Sequence, residues 1–222
     1  MNRTLIATAI LIGATTLGLS ANAQTTTANP TPTATPPVTS TGGGSDMAPN
    51  TPTTLNRDVN QQSRIEQGLQ NGTITTRESA ELERNQARIN ALQSKSMHGG
   101  LSTTERAELD HLQDHQSHAI RKANANGVNG NPMSGSSQRA QAEVQRNISQ
   151  QQRIQEGVRD NSLTNKEASR LEAGQARSDM HQYNAGKDGK IGENQAENMK
   201  EQDNRQSDKI YKQRHDNKEG HR

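Results

Sequence analysis

His111, His115 and His118 stand four and three positions apart in a single segment. On a helix turning 100° per residue they fall within about 60° of one another, and an i, i+4 or i, i+3 pair of imidazoles can bind a transition metal such as zinc. All three cannot share one ion, because His111 and His118 are about 10.5 Å apart along the axis. Asp114 could add an oxygen. The face lies away from the apolar stripe Leu109, Leu112, Gln116 and Ile120. Its plainer reading is three solvated side chains, and the chain has Glu201, Arg205 and Asp208 at matching positions of a second copy.

A second candidate lies in four turns of one pattern: a turn residue, any residue, Ile or Leu, Ser or Thr, two more, then an acid. They read Gly72-Thr73-Ile74-Thr75 to Glu78, Gly99-Gly100-Leu101-Ser102 to Glu105, Asn161-Ser162-Leu163-Thr164 to Glu167, and Asp188-Gly189-Lys190-Ile191-Gly192 to Gln195. The pattern resembles the second half of an EF-hand calcium loop. Calcium wants six to eight oxygens, the first three usually from side chains at loop positions one, three and five. Those positions hold Gln67, Leu69 and Asn71; Ser94, Ser96 and His98; Glu156, Val158 and Asp160; and Asn184, Gly186 and Asp188. No loop is complete. The fourth, with Asn184 and Asp188, comes nearest to a calcium site. The alternative is that all four turns are helix caps. One helix of about 20 residues joins the first two, so about 30 Å would separate them.

These residues sit in a unit that occurs twice. A shift of 89 positions lays Arg57, Gln61, Gln62, Arg64, Ile65 and Gly68 on Arg146, Gln150, Gln151, Arg153, Ile154 and Gly157, and Glu83 and Gln86 on Glu172 and Gln175. Copy one spans residues 55–126, copy two 138–222 with a C-terminal tail, and a Gly-rich linker, 127–137, lies between them. Apolar stripes at helical spacing predict three helices per copy: Leu55, Val59, Ile65, Leu69; Leu82, Ile89, Leu92; and Leu109, Leu112, Ile120. Thr75, Ser102 and Thr164, each followed three residues later by Glu, read as capping boxes, and Asp58 with Gln61 as a weaker one. A short turn after Ser96 folds the second and third helices into an antiparallel hairpin, with Leu82, Ile89 and Leu92 facing Leu109, Leu112 and Ile120. Copy two substitutes Ser178, His181 and Gln202 for Ile89, Leu92 and Leu112, so its hairpin should be looser. So few apolar groups predict marginal stability, mutual packing of the copies, or self-association.

The N-terminal residues 1–23 read as an export signal: a basic start, the apolar run Leu5 to Leu19, and the small-x-small site Ala21-Asn22-Ala23. The run is too short for a stable membrane span. Cleavage would place the product in the periplasm or outside the cell. Residues 24–54, rich in Thr and Pro, predict a disordered linker, and such segments can carry O-linked sugars. The chain has no Cys, Phe or Trp, two Tyr, and 27% hydrophobic residues. That composition argues against an apolar substrate pocket, and no nucleophile, phosphate-loop or dinucleotide motif is present. Basic and acidic residues, 26 and 24, are mixed along the chain, which argues against nucleic-acid binding.

With its signal peptide, its Arg64-Ile65 and Arg153-Ile154 helices ending at Gly68 and Gly157, its Thr-x-x-Glu starts, and Gln206-Ser207-Asp208-Lys209-Ile210-Tyr211 with His215-Asp216, the chain resembles exported Gram-negative bacterial proteins with Gln/Arg-rich helical repeats. That resemblance implies no activity. In composition the chain also resembles the hydrophilin class of stress proteins. The expectation is an all-α protein of two tandem three-helix units behind a disordered linker. Its expected role is non-catalytic, namely structural, interaction or stress-protective, with an unidentified protein partner or self-association and no cofactor. The alternative is a calcium or zinc sensor or buffer using His111, His115, His118, Asn184 and Asp188.

Overall fold

The sequences Thr75 to Glu78, Ser102 to Glu105 and Thr164 to Glu167 stand at helix starts, whereas Ser63 to Glu66 and Ser169 to Glu172, of the same pattern, lie inside helices. The computed structural model describes residues 51–216; the segment read as an export signal, the part of the expected linker up to residue 50 and the last six residues lie outside them. Six helices follow in order: α1 (Thr51–Asn71), α2 (Thr76–Gly99), α3 (Thr103–Ala125), α4 (Gly135–Arg159), α5 (Asn165–Gly186) and α6 (Glu193–Arg214). Among the described residues there is no strand, and no helix is long and apolar enough to cross a membrane.

At Thr75, Ser102 and Thr164 both legs of the capping box form. Each hydroxyl accepts from the N–H of the Glu three residues on, at 3.2, 3.3 and 3.2 Å. Each Glu carboxylate accepts from the cap N–H, at 2.9, 3.0 and 3.0 Å. Two N–H groups that the first turn leaves unpaired are thereby satisfied. Gly192 offers no hydroxyl, and at α6 only the return leg remains, from Gly192 N–H to Gln195 Oε1 at 2.8 Å. The expected box at Asp58 is not a cap. Helix α1 begins upstream, taking residues 51–54 from the predicted linker with Pro52 in its first turn, where a missing N–H costs nothing. Asp58 therefore lies inside the helix and is wholly buried.

The turns work by anchoring. Ile74, Leu101, Leu163 and Ile191, the apolar residue of each turn, are all buried. Ile74 and Leu163 return their N–H groups to the carbonyls of Gly68 and Gly157, at 3.0 and 2.9 Å. Their side chains then lie so close to the helix that a Cβ on either glycine would stand 2.5 Å from them. This approach is why glycine occurs at both matched positions. Gly72 and Asn161 take up the reversal with φ of 75° and 61°, the left-handed region that glycine and asparagine tolerate best.

The largest helix contact joins the two copies. Equivalent helices pair with each other, α2 with α5 and α1 with α4. Both pairs are antiparallel. Along the first, Arg77 reaches the carbonyl of Asp188 while Ser94 Oγ donates to the carbonyl of Ser169 at 2.8 Å. Along the second, Asn56 meets Gln155 and the carbonyl of Leu69 meets Gln141. The relation is that of an isologous dimer contained in one chain. Helices α3 and α6 cover the flanks as the outer arms of their hairpins.

The apolar clusters follow this pairing. Ile65, Leu69, Leu82 and Ile120 of copy one pack in one cluster with Val144, Ile148, Ile191 and Met199 of copy two. Leu55 and Met97 likewise join Val158 and Ala168. Each copy keeps a small cluster of its own, Ile89, Leu101, Leu109 and Leu112 in the first and Ile154, Leu163, Leu171 and Ile210 in the second. The predicted facing of Ile89 and Leu92 with Leu109 and Leu112 is present, whereas Leu82 and Ile120 go to the shared cluster. In copy two, Gln202 meets Ser178 at 3.4 Å beside an open groove of about 190 Å³, a polar contact where copy one has Ile89 and Leu112. The predicted Gly-rich linker is part of the fold. Gly130 donates to the carbonyl of Gly72 at 2.8 Å, and α4 begins at Gly135 with Ser134 as its cap.

Candidate functional site

Between the apolar clusters the interior is built from amides and carboxyls. Helical spacing places Gln61, Gln62, Glu83, Gln86, Gln150, Gln151, Glu172 and Gln175 on the inward faces of four helices, all of them buried. Three amide bonds occur in both copies. Gln62 Nε2 donates to Glu83 at 2.9 Å, as Gln151 Nε2 does to Glu172 at 2.8 Å. Gln116 and Gln206 donate to the carbonyls of Leu82 and Leu171 at 3.0 and 2.8 Å. Gln61 and Gln150 each reach a carbonyl and a serine hydroxyl on the flanking helix. These bonds explain why glutamine recurs where leucine would otherwise stand: each amide ties a central helix to its neighbour while satisfying a buried acceptor.

At the centre the copies exchange Asp for Asn. Asp58 on α1 corresponds to Asn147 on α4, and Asn90 on α2 to Asp179 on α5. Asp179 accepts from Asn90 Nδ2 at 2.7 Å across the seam and from Asn147 Nδ2 at 3.3 Å. Asp58 accepts from Gln113 Nε2 at 3.1 Å and from Gln93 Nε2. Toward α6, Arg146 bridges Glu143 and Asp203.

Water is excluded from these carboxyls, and the charged form suffers most from its loss. Burial pushes Asp58 up from 3.8 to about 7, although Gln93, Gln86 and Gln113 hold it down in part. Burial raises Glu83 to about 7 against the opposing bond from Gln62. Glu172 rises to about 8 through burial and the nearby Asp58 charge. Asp179 is raised well above its ordinary value by burial and then by Glu83, Glu172 and Asp203. Glu143 rises to about 8, again mainly by burial and then by its bond and charge contact with Asp203, with Arg146 opposing. The arrangement can therefore take up and release protons near neutrality. Asp58, Glu83, Glu172 and Asp179 are fully enclosed by helices, so the chemistry open to them is proton exchange.

The residues singled out in sequence lie elsewhere and apart. His111, His115 and His118 are exposed on the outer face of α3. Asp114 beside them is paired with Arg57. Asn184 and Asp188 are exposed around the α5–α6 turn, where the Asp188 backbone carbonyl accepts from Arg77 at 3.4 Å. Among the described residues, no three His, Asp or Glu side chains converge to hold a metal ion. The acids of the first three turns are spent in capping boxes, and Asp160 of the third bonds Arg214 and the Ser162 N–H. In the sequence alone, Asp58, Glu83, Glu172 and Asp179 look like ordinary surface carboxyls. A usable signal was present: Gln61, Gln62, Glu83 and Gln86 recur unchanged in the second copy at positions facing the apolar stripe. No family profile, curated protein or solved structure matches the chain.

Proposed function

We propose that the protein is a non-catalytic, stress-protective helical module that acts outside the cytoplasm. One observation carries the reading: the fold closes around glutamine, asparagine and carboxyl side chains instead of aromatic ones. Aggregation of opened chains is driven by exposed apolar surface and strand-forming apolar segments. When this interior opens, it exposes amides, carboxyls and hydroxyls about as often as apolar side chains, and no Phe or Trp, so the opened chain stays soluble and recloses. A protein that survives repeated opening, and presents hydrogen-bonding surface throughout, can shield other proteins during drying, freezing or a swing in pH. The export signal and the hydrophilin-like composition support the same reading.

The test is the recovery of a freeze-sensitive enzyme after freeze–thaw with an equal mass of this protein or of an inert polymer. The expected result is higher recovery with the protein and a fully reversible melt of the protein alone. Recovery no better than with the polymer, or aggregation after a single melt, refutes the role. The same melts run in chelator, then with excess calcium or zinc, test the metal alternative. A ligand at 100 times its dissociation constant adds about 2.7 kcal/mol to the folded state, so a midpoint raised by several degrees would put a metal sensor or buffer in place of the protective role.

A further inference from the structure

We propose that the seam between the two copies is a proton-operated clasp: protonation of Glu83, Glu172 and Asp179 closes α2 against α5, and their ionisation opens it. The inference goes beyond the protective reading and stands or falls separately from it.

The seam is the main contact holding the copies together, and its two strands of helix carry all three groups. Their partners are mismatched in one direction. The buried side-chain atoms without a partner in the protein include Glu83 Oε1, Glu172 Oε2 and the amide oxygens of Gln62, Gln86 and Gln175, all acceptors. Among the described residues, the buried side-chain groups without a partner that can donate are Gln182 Nε2 and the Ser79 hydroxyl, which are far outnumbered by the acceptors. An ionised carboxylate adds to the surplus of acceptors, whereas a carboxyl proton turns one acceptor into a donor. Protonation thus removes both the charge and part of the mismatch.

The surrounding charges push the same way. Helix α1 contributes Asp58 and, more distantly, Arg57, which is engaged by Asp114. Helix α4 contributes Glu143 and Arg146, and α6 contributes Asp203, with Arg146 committed to both of those acids. Helix α3 faces the interior with Gln113 and Gln116, which are neutral. Asp179 meets the charges of Glu83, Glu172 and Asp203, and Glu172 meets that of Asp58. No cation in this set is available to offset a second negative charge at the seam. Opening need not melt the helices. Ile89, Leu101, Leu109 and Leu112 hold α2 to α3 within copy one, and Ile154, Leu163, Leu171 and Ile210 hold α4, α5 and α6 within copy two.

The chain has no cysteine, so spin labels can be placed singly at Arg88→Cys on α2 and Arg177→Cys on α5, both exposed. In the full chain the expected result is one narrow distance peak at pH 5.5. The peak broadens to longer distances with a midpoint between about pH 7 and 8, while helical circular dichroism is largely kept. Glu83→Gln with Glu172→Gln should hold the narrow peak at pH 9. The clasp is overturned if the peak stays narrow to pH 9.5, if distance and helix are lost in one transition, or if the double variant opens as the parent does. Carbon-13 carboxyl titration of the unsubstituted chain serves even where the variant fails to fold. Midpoints for Glu83, Glu172 and Asp179 above pH 6.5 support the clasp, and midpoints in the ordinary range of 4 to 5 refute it.

Discussion

Replacing Asp58 by Asn installs in copy one the residue that copy two already has at the matching position, Asn147, and removes a single buried titrating group. The folded protein holds the Asp58 proton up to about pH 7, whereas an unfolded chain releases it near 3.8. Between those values the native state binds more protons than the unfolded one. This group therefore stabilises the fold fully below pH 3.8, and its contribution declines as pH rises through that window. At about 1.4 kcal/mol per pH unit, the unsubstituted protein should lose about 3 kcal/mol more than Asp58→Asn between pH 5 and 9, mostly before pH 7. That is a sizeable part of the 5–15 kcal/mol typical of a folded domain. The hydrogen bonds need not be sacrificed, because Gln93 Oε1 has no partner in the protein and the Gln93 amide can turn to accept from the new side chain. The assay is urea unfolding of both proteins, followed by far-UV circular dichroism at pH 5, 7 and 9. A difference that stays constant across the three pH values would show that Asp58 is ionised throughout, and the account of the interior would fail.

Gly157→Ala should lower stability by about 1–3 kcal/mol in the same assay, since the new Cβ would stand 2.5 Å from Leu163. Gly99→Ala, where nothing lies within 4 Å, is the control and should be neutral or slightly stabilising; equal losses at both positions would refute the close-approach argument. Thr164→Ala removes one leg of the α5 capping box and should cost about 1 kcal/mol, read as a lower urea midpoint. Ile210→Ala should cost about 2–5 kcal/mol, because Met199 and Ile210 are the large apolar side chains that α6 buries; limited proteolysis should then cut α6 first, and first cuts in α3 would contradict this.

What could be read from the chain was what neighbouring residues decide among themselves. A threonine hydroxyl and a glutamate three positions later satisfy each other within one turn, so the starts of α2, α3 and α5 were visible in sequence. The polar contact in the hairpin of copy two was visible too, because Ser178 and Gln202 replace apolar partners. The Asp58–Gln61 pair shows the limit. The same local pattern serves as a cap or lies inside a helix according to where the chain upstream enters, and tertiary packing of α1 settled it. Three imidazoles at helical spacing are conspicuous in the sequence, yet periodicity gives a face and says nothing of what covers it. Asp58, Glu83, Glu172 and Asp179 were the reverse case, since a carboxyl at a helix position is ordinarily solvated.

By itself the sequence determined six helices, the capped starts of α2, α3 and α5, and the repetition of one unit. These follow from bonds closed within a few residues or from a pattern compared with itself. Only the tertiary structure decided that α2 pairs with α5 and α1 with α4, that the glycine-rich connection packs into the fold, and that several carboxyls meet in an enclosed interior. Burial is a property of what lies on the far side of a side chain. Residues 89 positions apart, such as Asn90 and Asp179, become hydrogen-bond partners only once both copies have closed on each other.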